Sequence, residues 1–206
     1  VIDEETSLNV DSVCPFSSNI DEDHIARDLY ASDSKFDSRV GYFKEIYTGH
    51  VIEGTYREDG SSGGVTTWVL KQLLKQKKID GVIHVGATDE PGNMFEYKIS
   101  ESIDDLVANS KSRYYPVHFD SVLNEIKKRD KVYAFVGIPC FIKAVRLLMK
   151  SDPELAQKIK YCLAIFCGHT KSKGFGEMIG WQLNIHPKNI NYVNFRLKNN
   201  KLPVNK

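Results

Sequence analysis

Two thiols in this chain stand where thiols can do chemistry. Cys140 closes the apolar run AFVGIPC, residues 134–140, and Cys167 lies in LAIFCGH, residues 163–169. Each run reads as a buried strand that stops and presents a cysteine to whatever follows, an arrangement that suits a nucleophile, half of a metal site, or plain burial. Cys140 and Arg146 have the C-x5-R spacing of a phosphatase loop, in which a thiolate attacks a phosphate held by loop amides and an arginine. The intervening FIKAV opposes that role, because a loop wrapped around an anion needs small residues. Cys140, Cys167 and His169 suggest zinc, yet the sequence contains no C-x-x-C pair and a closed tetrahedral site wants four ligands. Two strand-end thiolates can equally supply half the ligands of an iron–sulfur cluster.

A second group of small and polar residues lies upstream. GSSGG, residues 60–64, precedes a helical pattern, so backbone N–H groups and the positive end of a helix dipole can approach an anion there. It matches neither the dinucleotide fingerprint nor the Walker loop, and a turn plus a helix cap explains it as well. ANSKSRYYPV, residues 108–117, gathers a serine, an arginine and two tyrosines before a proline. Aromatic faces beside a fixed cation suit an aromatic ring bearing phosphates, although exposed Tyr and Arg are also ordinary in loops. Cys162, turned away from its strand neighbours, reads as inert core. His24, His50, His84, His118 and His186 show no ligand spacing.

These residues need elements that bring strand ends and loops together. VTTWVLKQLLKQKK, FDSVLNEIKKRD, FIKAVRLLMK and GFGEMIGWQLNI have helical apolar spacing, while IDGVIHVGATD, KVYAFVG and YCLAIFC read as short buried strands. EYKISESIDDLV predicts a strand followed by a helix capped by Ser100 or Ser102, with acids in its first turn. GYFKEIYTGHVIEG predicts a strand pair and NINYVNFRLK a final strand. Strands alternating with helices point to an α/β fold, a mixed, largely parallel sheet with helices packed on its faces. Ligands of such sheets gather beyond the carboxyl ends of strands, where both strand-end cysteines fall.

Composition narrows the class. The 206 residues, 41% hydrophobic, suffice for one main domain, with residues 1–40 forming a polar lead-in and 41–206 the α/β domain. A net charge of +1 with interspersed signs marks no basic surface for nucleic acid. No apolar run approaches the roughly 20 residues of a membrane span, and the acidic VIDEETSLN differs from a signal peptide, so a cytoplasmic protein is expected. Four cysteines without a secretion signal do not suggest a disulfide framework.

SSGG before a helix, IDGVIHV, SRYYPV, FVGIPCFIKAVRLL, IFCGHTKS and NFRLK, in this order, resemble the coenzyme F420 hydrogenase/dehydrogenase beta-subunit family over roughly residues 28–200. The family's G-T-P-C-Q stands here as Gly137, Ile138, Pro139, Cys140 and Phe141, which suggests a bacterial branch of unassigned substrate. The resemblance implies an oxidoreductase that carries FAD and a [4Fe-4S] cluster and couples two-electron hydride transfer to one-electron transfer. It implies that Ser62, Gly63 and Gly64 approach the FAD phosphates, that Ser112, Arg113 and Tyr114 line the flavin, and that Gly137, Ile138 and Pro139 lie close to the ring. Cys140 and Cys167 would be two cluster ligands. The family's other two come from a later C-x-x-C that these 206 residues do not contain, so a fragment truncated before the second pair is expected. Cys14-Pro15 resembles the closing cysteine of a ferredoxin-type motif, making the lead-in a candidate ferredoxin-like remnant. The expected partners are an electron donor or acceptor protein or a deazaflavin-like small molecule, within a homo- or hetero-oligomer. A binding or scaffold module that kept the fold without cofactors, and the thiol phosphatase using Cys140 and Arg146, are the competing expectations.

Overall fold

The computed structural model describes residues 10–17, 20–90, 92–190 and 192–198. In chain order the elements are α1 (Val10–Val13), α2 (Glu22–Tyr30), β1 (Lys35–Asp37), β2 (Gly41–Phe43), α3 (Tyr56–Asp59), α4 (Val65–Lys75), β3 (Gly81–Ala87), β4 (Phe95–Ser100), α5 (Ile103–Ala108), α6 (Asp120–Lys127), β5 (Tyr133–Gly137), α7 (Pro139–Ser151), α8 (Pro153–Lys158), β6 (Ile159–Ala164) and α9 (Gly174–Gln182). The order β4-β3-β5-β6 makes a four-stranded sheet in which β3, β5 and β6 run parallel and β4 antiparallel at one edge. The expected mixed, largely parallel α/β fold is therefore present.

Strand β5 shows why helices cover both faces. All five of its residues are buried, and they alternate: Tyr133 and Phe135 enter one apolar cluster, Ala134 and Val136 the other. The first cluster takes Ile83 and Tyr97 from the sheet and is closed by Val122, Leu123 and Ile126 of α6, Val145 of α7 and Leu155 of α8. The second takes Val82 and is closed by Leu70 of α4 and Leu106 of α5. At the amino end of the sheet the Asp80 carboxylate accepts from Val132 N–H at 2.8 Å, and Asp80 N–H donates to Val132 O at 2.7 Å, which pins the starts of β3 and β5 together.

Two expectations need correction, and a choice left open is decided. Residues 192–198 form no strand: Phe195 instead packs among aromatic rings, which leaves β6 as the sheet edge. The strand pair expected over 41–54 is only a short hairpin of β1 with β2, because Val51 N–H bonds to Gly63 O at 2.9 Å rather than to a strand. The cap of α5 is Ser102, whose Oγ accepts from Asp105 N–H at 3.1 Å, whereas Ser100 is buried in β4. The first elements, α1, α2 and the β1–β2 hairpin, contain no buried residue among those described. No helix among the described residues is long and apolar enough to cross a membrane.

Candidate functional site at the carboxyl edge of the sheet

The register of β5 and β6 gives the two cysteines a common reference point in the sheet. Gly137 pairs with Ala164, and Ile165 N–H extends the ladder to Gly137 O at 2.9 Å. Cys140 and Cys167 each lie three residues past that matched point, 137 to 140 and 164 to 167. Ile138 is extended and Pro139 opens α7, where a missing N–H costs nothing, so Cys140 sits half-buried in the first helical turn. Cys167 is exposed. Beside Cys140 the Tyr97 hydroxyl donates to Val136 O at 3.1 Å; burial, and then the nearby Cys140, hold its pKa above the ordinary tyrosine range. A Cβ on Gly137 would lie 3.0 Å from that hydroxyl and 3.1 Å from the Phe135 ring, so close packing at the strand end requires glycine here.

The other two sequence clusters meet each other. Ser61 Oγ accepts from Ser112 N–H at 2.9 Å, joining the GSSGG turn to the SRYY loop. The turn is held from outside as well, since Lys198 Nζ donates to Ser62 O at 2.7 Å and to Arg57 O. Gly64, with φ +77°, leads into α4 in the left-handed region, and a Cβ there would lie 2.4 Å from Tyr56 O. Strain plus a clash with backbone predicts that Gly64→Ala costs about 2 kcal/mol, measurable by urea unfolding; an unchanged midpoint would refute the tight seat of this turn.

Arg113 is the unusual member of the loop. Its guanidinium carbon lies 5.0 Å from the centroid of the Phe95 ring, and its Nε and Nη1 are buried with no hydrogen-bond partner among the described residues. Burial pushes its pKa below the ordinary arginine range, and Tyr192 opposes that shift. Around it the rings of Phe95, Tyr114, Tyr115, Phe175 and Phe195 stand 5.6 to 6.1 Å apart in successive pairs. Phe95 opens β4 opposite Ala87, the last residue of β3, so this aromatic wall occupies the same carboxyl edge as the cysteines.

Sequence reasoning missed the residue that seats the loop. Asn109 accepts from Ala87 N–H through Oδ1 at 3.3 Å, and its Nδ2 donates to Asp105 O at 3.0 Å and to Asp105 Oδ1 at 2.9 Å. Gly86 makes room for it, because a Cβ at 86 would lie 2.6 Å from Asn109 Oδ1. A glycine inside the strand pattern IHVGATD was the available signal of a close approach. Phe95 and Phe195 carried no such signal.

Other expected groupings do not assemble. Arg146 lies six residues along α7 from Cys140, about 9 Å of helical rise, and donates to Tyr30 Oη at 2.9 Å, so it cannot clamp an anion at that thiol. Cys140, Cys167 and His169 do not converge as a zinc site, and Cys14, at the end of α1, joins no metal-binding group; among the described residues no three His, Cys, Asp or Glu side chains do so. The described chain therefore does not complete a four-thiolate cluster by itself. Cys162 packs against the first apolar cluster, and burial pushes its thiol pKa up against the opposing Arg146.

The chain is similar to known proteins in sequence and fold. A chain from the solved F420-reducing [NiFe] hydrogenase complex of Methanosarcina barkeri superposes with a TM-score of 0.58 at 20% identity, over 67% of this chain and 50% of that one. The coenzyme F420-dependent sulfite reductase of Methanocaldococcus jannaschii is 33% identical over 123 residues, 53% of this chain and 19% of that protein. An uncharacterized protein of the same organism is 28% identical over 120 residues, 55% of this chain and 33% of its own. The chain thus spans a minor part of the curated relatives it matches and half of the structural one. The sequence profile of the coenzyme F420 hydrogenase/dehydrogenase beta subunit matches in both its parts, the N-terminal one over residues 46–124 and the C-terminal one over 130–206. The chain belongs to the coenzyme F420 hydrogenase/dehydrogenase beta-subunit family.

Proposed function

We propose that this chain forms the flavin-binding part of an oxidoreductase that couples two-electron hydride transfer to one-electron transfer. The observation that carries the proposal is Arg113, whose Nε and Nη1, buried and without a hydrogen-bond partner among the described residues, sit against an aromatic wall at the carboxyl edge of an α/β sheet, where ligands of such folds bind. A polarised aromatic system with anionic character satisfies both features, and FAD has that chemistry. A bound flavin supplies the ability to take up a hydride and to release electrons singly.

The residues then have distinct tasks. Ser62, Gly63 and Gly64 bring the turn against the phosphates, Ser112 and Tyr114 line the flavin, and Arg113 holds negative charge on it. Gly137, Ile138 and Pro139 border the ring at the end of β5. Cys140 and Cys167 are proposed as two thiolates of a [4Fe-4S] cluster whose remaining ligands lie beyond the described residues. The related proteins are a coenzyme F420-dependent reductase and a subunit of an F420-reducing complex, so a deazaflavin or a partner electron carrier is the proposed counterpart.

Equilibrium titration of the purified chain with FAD tests this, read as quenching of flavin fluorescence. Saturable binding at one site is expected. A folded chain that leaves flavin fluorescence unchanged at saturating protein would overturn the proposal in favour of a scaffold that kept the fold alone.

A further inference from the structure

Helix α2 lies against α7, and polar contacts between them run along α7 as a stripe. Glu22 Oε1 is 3.4 Å from Lys143 Nζ, Arg146 Nη2 donates to Tyr30 Oη at 2.9 Å, and Lys150 Nζ donates to Asp28 Oδ2 at 2.9 Å. Residues 143, 146 and 150 follow one face of α7, and Lys143 is the neighbour of Cys140 one turn on. Helix α1 packs on α7 as well. The leading segment is thus seated on the helix that carries Cys140.

The seat of α2 depends on those polar contacts. No residue of α2 is buried, and Leu29 and Tyr30 stay 48% and 43% exposed, so apolar packing contributes little. Asp28 and Lys150 are exposed too, which makes their ion pair weak and sensitive to salt. Lys143 is different. It is only 8% exposed, beside the core residues Ala144 and Val145, and its ammonium meets the exposed carboxylate of Glu22. Undocking α2 returns that ammonium to water, which offsets part of the lost contacts. Helix α2 also packs on β2, where a Cβ on Gly41 would lie 2.8 Å from Asp23 Oδ1, so helix and hairpin form one unit.

We propose that α2 with the β1–β2 hairpin is a releasable arm, docked on α7 by the Glu22–Lys143, Tyr30–Arg146 and Asp28–Lys150 contacts, that governs access to the helical turn of Cys140. The arm rests on these contacts and not on the function proposed above, so the two stand or fall separately.

Hydrogen–deuterium exchange of the purified chain tests it, with the rate of Cys140 modification by iodoacetamide as a second reading. A nine-residue helix does not persist alone in water, so the amides of α2 lose protection when the arm leaves. Raising NaCl from about 0.05 M to about 0.5 M should speed α2 exchange severalfold, and Cys140 modification with it. Asp28→Lys sets like charges against each other at Lys150 and should speed both about fivefold at low salt. Adding Lys150→Asp to that variant should restore both rates. Amides of β5 and the Cys162 thiol, which packs against the core, serve as controls and should not respond. Exchange of α2 that ignores both salt and Asp28→Lys overturns the arm. So does a charge swap that restores nothing, or an acceleration that β5 shares, since the whole fold would then be loosening. Faster α2 exchange with an unchanged rate at Cys140 overturns the control of access to that turn.

Discussion

Replacing Arg113 by methionine is expected to raise the stability of the ligand-free chain while weakening FAD about 100-fold. The two effects have one cause. Arg113 Nε and Nη1 have left water without gaining a hydrogen-bond partner among the described residues, so the folded chain carries a partly desolvated cation that the Phe95 ring compensates only in part. Methionine removes that burden and keeps contact with the Phe95 ring, giving up a cation–π contact of about 0.5–1 kcal/mol. Replacing a buried charge by an apolar group of similar volume is often neutral or stabilising, and a net gain of about 1 kcal/mol is expected. Bound FAD would supply the missing acceptors, so loss of the guanidinium forfeits charge-assisted bonds in the complex. Urea unfolding without ligand and fluorescence titration with FAD measure the two sides. A variant that is less stable and binds FAD normally would show that the guanidinium serves the fold.

The elements that local pattern specifies were legible, and those specified by distant contacts were not. Helices α6 and α7 follow their apolar spacing, and β5 follows its continuous apolar run between turn signals, so the α/β class was open to sequence reasoning. NINYVNFRLK has the alternation of a strand, but its apolar residues are used differently. The Ile190 Cδ1 atom packs 2.6 Å from where a Cβ on Gly180 would stand, and Phe195 stacks on Phe175 at 5.9 Å between centroids. Periodicity cannot tell a side chain that faces a sheet neighbour from one that plugs into a helix and an aromatic cluster. The same limit applies at the site. GSSGG and SRYY stood out by residue type, and family resemblance suggested their roles, whereas the Ser61–Ser112 and Lys198–Ser62 bonds join residues 51 and 136 positions apart.

His84 makes the hairpin beneath this site sensitive to acid. It lies in β3, buried on the α4–α5 side with Val82, and its Nε2 is 2.7 Å from Oγ of Ser100, itself fully buried in β4. Burial pushes the His84 pKa down to about 4; Asp105 pulls it up, and Lys98 and Arg113 add to the depression. The folded chain therefore keeps the imidazole neutral below the ordinary value of 6.5, while the unfolded chain takes up a proton there. Between those two values the unfolded state binds more protons, so stability declines as pH falls through the window, by about 3 kcal/mol at most. His84→Gln removes the titration and gives up one bond to Ser100, so it should be less stable than wild type at neutral pH and lose that deficit of about 1 kcal/mol near about pH 5.5. Carboxylates titrate in both proteins alike, which makes the wild-type minus variant difference in urea unfolding the quantity to follow. A difference that stays constant across the window would mean that His84 exchanges no proton on unfolding. Because β3 ends at Ala87 and β4 begins at Phe95, the partners of Asn109 and Arg113, the same acid shift should weaken FAD in wild type more than in the variant.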